Sequence, residues 1–490
     1  MNLLFFQKAR QNYLLYSSLL FSVLFLVGGV LFPDALVSGL NKTNATLLAV
    51  FSNYYLWVGL LVVLTALVIL FLPISKKRLG TAEPEYSWFS WIALLYSTGM
   101  GSGLLLRAVQ EPVYYLHNPP VDGMDAKQIA LQYTFFHWGF TPWAMYSVFG
   151  LIVAYNLYLR KAPNFLQAIV VDDKAKFVQK TVPFFIVIIT IAGVIASLGL
   201  GTGQFIGGLN QYFSLDLGNS FLLLTVFGIG LIGTLSALTG INKVIKYLAD
   251  FDMTVSVMLM IFIALFLNFS DFFSNTGTAL FNYIRHFFEM SLSVGSYKTG
   301  EAFTRDWTVF YWAFWLAWVP FTGIFIARIS KGRTIRSFIV ATILVPSLAT
   351  VIWFSVFANQ AFDLVEKSDP QQFDNLFTSL FVFLQHFPFS NITVLVAATL
   401  VLVAIINSVD SAIFVLGMFS DKGNENPVKK HKLLWGIIIT ATAFGLTAVG
   451  KNDLLNAISS LLIILALPFS VLYVYVIVMF FWGLMKIKKA

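Results

Sequence analysis

The stretch WTVFYWAFWLAWVPFTGIFIARISKGRTIR, residues 307–336, shows the pattern that decides the fold. A helix needs about 20 residues to cross a membrane, and the apolar run 307–329 is long enough. Only 11% of the 490 residues are charged and 58% are hydrophobic, whereas soluble domains are about 25% charged. The sequence therefore predicts an all-α polytopic membrane protein with twelve transmembrane helices. These spans 1 to 12 lie near 12–32, 53–73, 89–116, 134–159, 181–213, 219–239, 253–273, 307–329, 336–360, 391–418, 432–450 and 455–484.

Positive charge predicts the orientation of these spans, because Lys and Arg collect in cytoplasmic loops. With the N-terminus placed inside, 23 of the 31 Lys and Arg fall in cytoplasmic segments, seven fall outside, and Arg107 lies within a span. This alternation predicts a multi-pass protein of the plasma membrane with both termini in the cytoplasm. The basic clusters then face the lipid bilayer, so the net charge of +8 indicates no nucleic-acid partner.

Several function classes are excluded by what the sequence lacks. It has no Cys, and hence no disulfide framework, zinc-thiolate site or thiol nucleophile. No phosphate-binding Gly-Lys-Ser/Thr motif occurs, and no cytoplasmic segment is long enough for an ATPase. The five His are scattered, which argues against an enzyme. A channel would need a polar ring around a pore, and only Arg107, Glu111 and Asp410 lie well inside the spans. A secondary transporter without a cofactor remains the best interpretation, and saturation of flux would separate it from a channel.

Span 3 contains Ser97-Thr98-Gly99-Met100-Gly101-Ser102-Gly103. Each glycine in a helix interior costs about 1 kcal/mol, so Gly99, Gly101 and Gly103 predict either an unwound segment or a close helix-packing patch. Transporters use unwound segments at the midplane to expose carbonyls to ions.

Aromatic side chains are dense in spans 4 and 8. In span 8, Tyr311, Trp315 and Trp318 share one helix face. An interfacial belt is the usual explanation for such rings. The alternative is an aromatic cage for a quaternary ammonium group, which donates no hydrogen bond and is attracted to ring faces by about 0.5–2 kcal/mol each.

Three other features leave alternatives open. Asp410 in span 10 either binds a cation or proton or anchors hydroxyls and broken backbone. Two stretches outside the spans, 278–294 and 371–387, have helical apolar spacing typical of helices in the membrane interface.

The chain resembles the betaine/carnitine/choline transporter family. The resemblance rests on Gly99-Met100-Gly101-Ser102-Gly103 through Glu111-Pro112, on Tyr133-Thr134-Phe135-Phe136-His137-Trp138-Gly139, on Ser197-Leu198-Gly199-Leu200-Gly201, on the run 307–336, and on Val409-Asp410-Ser411. These segments follow the family's order from span 3 to span 10.

The resemblance implies a fold of two inverted five-helix repeats, the core of amino acid/sodium symporters, with two extra helices at the N-terminus. Domain boundaries follow: an extension over 1–88, a first repeat over 89–275 (spans 3–7), an interfacial helix and linker over 276–306, and a second repeat over 307–490 (spans 8–12). It also implies a homotrimer with the interfacial helix at the subunit contacts, in a bacterial cytoplasmic membrane.

The resemblance further implies a small-molecule substrate with a trimethylammonium or related group: glycine betaine, choline, carnitine, or a sulfonium or ectoine analogue. Phe314 stands where many members have another Trp. The implied substrate-binding residues are Trp138, Trp143, Tyr146, Trp315, Trp318, Phe314, Met100 and Arg107. A same-fold symporter for an amino acid or other amine is the runner-up.

Sodium is the coupling ion that the resemblance implies. The implied ligands at one site are Ser97, Met100, Asn407 and Ser408, and at a second site Phe321 and Thr190. Val194 stands where the second site should have another hydroxyl.

Arg107 departs from the family, which usually has an aromatic residue there. Its spacing allows a salt bridge to Glu111 one helical turn on. It also suits a substrate carboxylate, or a fixed charge in place of sodium, which would make the protein an exchanger or uniporter.

Overall fold

The computed structural model describes residues 13–100, 102–169, 176–449 and 452–487. Within these residues the chain is built of helices, and an isolated bridge joins Arg78 to Thr334. The α-helices are α1 Tyr13–Leu31, α2 Pro33–Val50, α3 Ser52–Phe71, α4 Trp88–Met100, α5 Gly103–Arg107, α6 Gln110–His117, α7 Ala126–Trp138, α8 Phe140–Tyr158, α9 Phe165–Ile169, α10 Lys176–Phe213, α11 Asn219–Thr239, α12 Lys246–Ala264, α13 Phe269–Arg285, α14 Phe287–Leu292, α15 Glu301–Phe303, α16 Phe310–Ile329, α17 Ile335–Ile339, α18 Val345–Val365, α19 Ser379–Gln385, α20 Ser390–Ser420, α21 Lys429–Ala448 and α22 Asn452–Ile487.

The described part of the chain contains ten helices that are long and apolar enough to span a membrane, or eleven if the bent pair Trp88–Met100 and Gly103–His117 counts as one. Span 4 corresponds to α8, whose hydropathy is lowered by polar residues such as Thr141 and Asn156 and which is almost entirely buried by its neighbours. Each of the twelve predicted runs thus overlaps a helix or a broken helix, and the all-α fold is confirmed.

The boundaries differ from the prediction in three places. Helix α2 was not expected, and it packs along α22, where Ser460 donates to Asn41 Oδ1 at 2.8 Å. Span 7 is Ile241–Ala264 rather than 253–273, because the Phe-rich residues after 268 begin the separate amphipathic helix α13. In the stretch 371–387 the α-helix is limited to α19, Ser379–Gln385, which is buried against α10 and α20.

Spans 4 and 8 cross at two glycines, and this crossing positions the aromatic residues. A Cβ atom on Gly150 would lie 2.7 Å from the carbonyl oxygen of Gly323, so the two backbones touch without side chains between them. The approach brings the first turns of α8 against the middle of α16. Both helices are nearly completely buried.

A polar cluster, named here the polar latch, joins one end of spans 3, 7 and 8. Arg328 donates to Glu85 at 2.8 Å, and Arg333 donates to the carbonyl of Tyr86 at 2.6 Å. Asn242, just before α12, donates to Glu85 at 2.7 Å and accepts from the Tyr86 hydroxyl. The latch therefore ties the start of spans 3 and 7 to the end of span 8.

Candidate functional site

Span 3 is broken where the glycine segment predicted it. Helix α4 ends at Met100, and the chain bends by 62° before continuing as α5 and α6. Gly101 lies outside the described residues. A Cβ on Gly99 would lie 2.9 Å from the Trp143 ring, and one on Gly103 would lie 3.2 Å from the Trp138 ring. The glycines therefore allow the indoles to pack directly on the broken backbone.

The rings of spans 4 and 8 converge on this break. Trp315 lies edge to face with Trp138, at 5.1 Å between centroids, and with Tyr146, at 6.3 Å. Tyr146 in turn meets Trp143 at 5.8 Å and donates its hydroxyl proton to the carbonyl of Gly99 at 3.3 Å. Four rings from three helices, α7, α8 and α16, thus form one cluster beside the end of α4.

A cavity of about 60 Å³ lies between this cluster and spans 3 and 5. A water molecule needs about 10–15 Å³ of cavity volume, so this cavity has room for about four to six waters. None of its lining residues is charged. They are Gly99, Met100, Ser102, Gly103, Leu106, Trp138, Ser197, Leu200, Phe314, Trp315 and Trp318.

The predicted substrate-binding residues take three positions relative to this cavity. Five of them line it: Trp138, Phe314, Trp315, Trp318 and Met100. Trp143 and Tyr146 lie behind these residues, where Trp143 stacks on Tyr96 with 5.9 Å between ring centroids. Arg107 takes the third position, outside the cavity.

Arg107 lies outside the cavity and does not pair with Glu111. Its guanidinium donates to Gln110 at 2.6 Å and lies over the Trp307 ring at 5.4 Å. The expected salt bridge required one continuous helix, whereas the helix is interrupted between α5 and α6, after Arg107. The structure therefore corrects that interpretation.

Glu111 holds the indole of Trp138 instead. Its fully buried carboxylate accepts from Trp138 Nε1 at 3.0 and 3.2 Å and from the Tyr311 hydroxyl. His137 Nδ1 lies 3.9 Å from the same carboxylate, and its Nε2 lies 3.0 Å from the Thr308 hydroxyl. The sequence suggested only Arg107 as a partner of Glu111, because the observed contacts join residues that are far apart in the chain.

A second cavity, of about 250 Å³, lies on the other side of the break. Predicted ion ligands Ser97 and Met100 line it, and Met100 lines both cavities. Asp252 of α12 is the only charged residue among its lining residues. Asn407, another predicted ligand, contacts Asp252 at 3.5 Å.

The remaining predicted ion ligands contact residues of their own helices. The Ser408 hydroxyl donates to the carbonyl of Ala404 at 3.0 Å, and that of Thr190 donates to Ile186 at 2.7 Å. Phe321 packs on Trp318, with centroids 5.3 Å apart. Val194 is buried and offers no hydroxyl.

Asp410 lines neither cavity. Its carboxylate accepts from Ser236 at 2.6 Å and from Ser411 at 3.2 Å. These contacts match the anchoring role. Among the described residues, no group of three or more His, Cys, Asp or Glu is placed to hold a metal ion.

Comparison with known proteins places the chain in a family. A model of the betaine/carnitine/choline family transporters matches residues 13–489. The chain belongs to this family. The glycine betaine transporter OpuD of Bacillus subtilis (strain 168) is 36% identical over 484 residues, which cover 94% of this chain and 93% of OpuD. An ectoine/hydroxyectoine transporter of Virgibacillus pantothenticus is 34% identical over 430 residues, which cover 85% of each chain.

A solved structure shows the shared fold. It is a Na⁺-coupled sialic acid symporter in a substrate-bound, outward-open state, similar at a TM-score of 0.52 and 13% identity over 87% of this chain and 86% of that one. Family membership confirms the resemblance drawn from the sequence. The protein is a multi-pass membrane transporter of the betaine/carnitine/choline family and not an enzyme.

Proposed function

We propose that this protein carries a quaternary-ammonium or related zwitterionic compound across the membrane by alternating access, coupled to sodium. The observation that carries the proposal is the 60 Å³ cavity, which is walled by Trp138, Trp315 and Trp318 and contains no charged lining residue. Ring faces attract a cation that donates no hydrogen bond, by about 0.5–2 kcal/mol each. The volume suits a trimethylammonium group.

The polar wall of the same cavity offers a place for the other end of a zwitterion. Ser102 and Ser197 bring hydroxyls to the lining, and a hydroxyl can donate to a carboxylate. OpuD and the Virgibacillus transporter are named for glycine betaine and for ectoine or hydroxyectoine. These names support substrates of the same chemical class, with choline, carnitine and sulfonium analogues as the other candidates.

Sodium coupling is supported by the second cavity and by the fold neighbour, a Na⁺-coupled symporter. Ser97, Met100 and Asn407 lie around the end of α4, where the last carbonyls of a helix lack partners within it. Arg107 lines neither cavity, which favours sodium over the alternative of an exchanger that uses this arginine in place of an ion.

The remaining proposals concern topology and assembly. The termini are placed in the cytoplasm of a bacterial cell, and the two inverted repeats span 89–275 and 307–490. A homotrimer is proposed, with the interfacial helix at the subunit contacts. Its support is the apolar face of α13 and α14, where Phe281, Ile284 and Phe288 are more than half exposed.

A binding and transport experiment tests the substrate. The purified full chain is screened for thermal shifts with glycine betaine, choline and carnitine, and uptake is measured in proteoliposomes. Trp315→Leu is expected to abolish both responses, whereas Trp57→Leu, 60% exposed on α3, is expected to keep them. If a neutral amino acid inhibits uptake and none of the three ammonium compounds does, the proposal is refuted and the amino acid symporter is favoured.

Arg107→Gln separates symport from exchange. Sodium-gradient-driven uptake that persists in the variant fits the contacts of Arg107 with Gln110 and Trp307. If wild-type uptake does not depend on the sodium gradient and Arg107→Gln loses counterflow, the protein is an exchanger.

A further inference from the structure

We propose that Asp252 is a ligand of the coupling cation, so that the sodium site contains a carboxylate from span 7 in addition to the predicted oxygens of spans 3 and 10. This inference rests on the proposed sodium-coupled function and adds a charged residue to it. It is argued from the contacts of Asp252, from those of Asn407, and from the cavity that Asp252 lines.

The charge of Asp252 has no cationic partner among the described residues. It lies in the middle of the span Ile241–Ala264, and no Lys, Arg or His forms an ion pair with it within 4.0 Å, whereas neighbouring Asp250 pairs with Lys246 at 3.0 Å. An ionised carboxylate at membrane depth is expensive unless it is paired. A bound cation would supply the pairing.

Asn407 brings an unused oxygen to the same place. Its side chain is 1% exposed, and its Oδ1 has no hydrogen-bond partner, although buried amide oxygens are nearly always bonded. Its Nδ2 lies 3.5 Å from Asp252 Oδ2, at the outer limit of a hydrogen bond. A carboxylate without a cation therefore lies beside an amide oxygen without a donor.

The separation of the two groups fits a shared ion. The oxygen and nitrogen of an Asn amide exchange places by a half-turn about χ2, which would put Oδ1 about 3.5 Å from the carboxylate oxygen. Two oxygens that each lie about 2.4 Å from one ion, at a right angle, are about 3.4 Å apart. The observed 3.5 Å thus matches the spacing of two oxygens that share one cation.

Other oxygens complete the environment. Ser256, one turn after Asp252 on α12, lines the 250 Å³ cavity, and so do Ser97 and Met100 at the end of α4. A site of one carboxylate, one amide oxygen, hydroxyls and carbonyls suits a hard monovalent cation, because all of its ligands are oxygen. Tyr96 lines the same cavity and stacks on Trp143, behind the substrate cavity.

The test compares Asp252→Asn with Asp250→Asn. Asp250 lies on the same helix but binds Lys246 and the Ser90 hydroxyl, each at 3.0 Å. Two readouts are used: the rise in unfolding temperature of the purified full chain on titration with NaCl against KCl, without substrate, and the sodium dependence of betaine uptake in proteoliposomes. Asp252→Asn is expected to raise half-saturating sodium at least tenfold in both, and Asp250→Asn by less than twofold.

A second variant keeps the proposal testable if Asp252→Asn does not fold. Asn407→Ser keeps an oxygen ligand and is expected to bind sodium more weakly than the wild type but more tightly than Asp252→Asn. Half-saturating sodium within twofold of wild type in Asp252→Asn would overturn the proposal, as would a wild-type chain without a sodium-specific shift.

Two other outcomes also overturn it. If only the KM for substrate rises in Asp252→Asn, the carboxylate serves the substrate ammonium; if only the pH profile of uptake changes, it carries a proton. A sodium shift that depends on Asp252 in a chain that transports no betaine would refute the proposed substrate and leave this site standing.

Discussion

Replacing Glu111 by glutamine tests whether a residue that does not itself line the aromatic cavity positions the wall of that cavity. The carboxylate binds Trp138 Nε1 through both oxygens, at 3.0 and 3.2 Å, and accepts from Tyr311. The glutamine amide keeps one acceptor oxygen and turns the other position into a donor. The hydrogen bond from Trp138 Nε1 then loses its charge assistance, and the ring is held less firmly against Gly103.

The magnitude follows from the lost charge. A hydrogen bond to a charged group contributes about 1.5–3 kcal/mol and a neutral one about 0.5–1.5 kcal/mol, so about 1–1.5 kcal/mol is lost, and each 1.4 kcal/mol is a factor of ten in an equilibrium constant. The KM for betaine is therefore expected to rise about five- to tenfold in Glu111→Gln, with a much smaller change in maximal rate.

The assay is saturable uptake of labelled betaine in proteoliposomes, with the amount of folded protein measured for each variant. Glu83→Gln is the matched control, since its side chain is 82% exposed. The double variant Glu111→Gln/Trp138→Phe should be little worse than Trp138→Phe alone, because both substitutions affect the same bond. A KM within twofold of wild type, or additive effects in the double variant, would refute the positioning role.

Two further substitutions test the packing of the site and the polar latch. Gly99→Ala would put a carbon 2.9 Å from the Trp143 ring, so uptake should fall at least tenfold, whereas Gly39→Ala, whose added carbon meets no atom within 4 Å, should keep wild-type uptake. Glu85→Gln weakens the bond to Arg328 and should increase deuterium exchange in the segments that the latch joins; unchanged exchange would count against the latch. Burial raises the pKa of Glu85, but hydrogen bonds such as that from Arg328 outweigh it and keep the pKa below its usual value. The carboxylate thus stays ionised at neutral pH, and acid should mimic Glu85→Gln only as the pH falls through that lowered pKa.

The spans and the aromatic site were predictable because both depend on residue types that are rare elsewhere. Long apolar runs between basic clusters leave no other fold class, and the glycines of span 3 and the indoles of spans 4 and 8 made a broken helix and an aromatic cage two of the alternatives. The convergence of Trp138 and Trp315 needed the family resemblance, since nothing in either segment alone says that spans 4 and 8 cross.

Asp252 was not predicted as a site residue because one span boundary was wrong. The predicted span 253–273 begins directly after Asp252, which places the carboxylate in a loop. In the structure the span is Ile241–Ala264, and the Phe residues that extended the run belong to α13, whose aromatic face is exposed. Hydropathy does not separate a spanning helix from an apolar interfacial helix that follows it.

The two cavities share a wall, and the proposed coupling of the ion to the substrate would act through it. Met100 lines both, and the carbonyl of Gly99 accepts from Tyr146 behind the aromatic cavity. A cation bound to the carbonyls at the end of α4 would hold that end in place and with it the rings that pack on the glycines. Linkage requires reciprocity: the factor by which sodium tightens betaine binding must equal the factor by which betaine tightens sodium binding. Equilibrium titrations of each ligand at fixed levels of the other measure both factors. Two independent affinities would mean that the break in span 3 does not transmit between the cavities, and that the coupling of transport arises in another part of the fold.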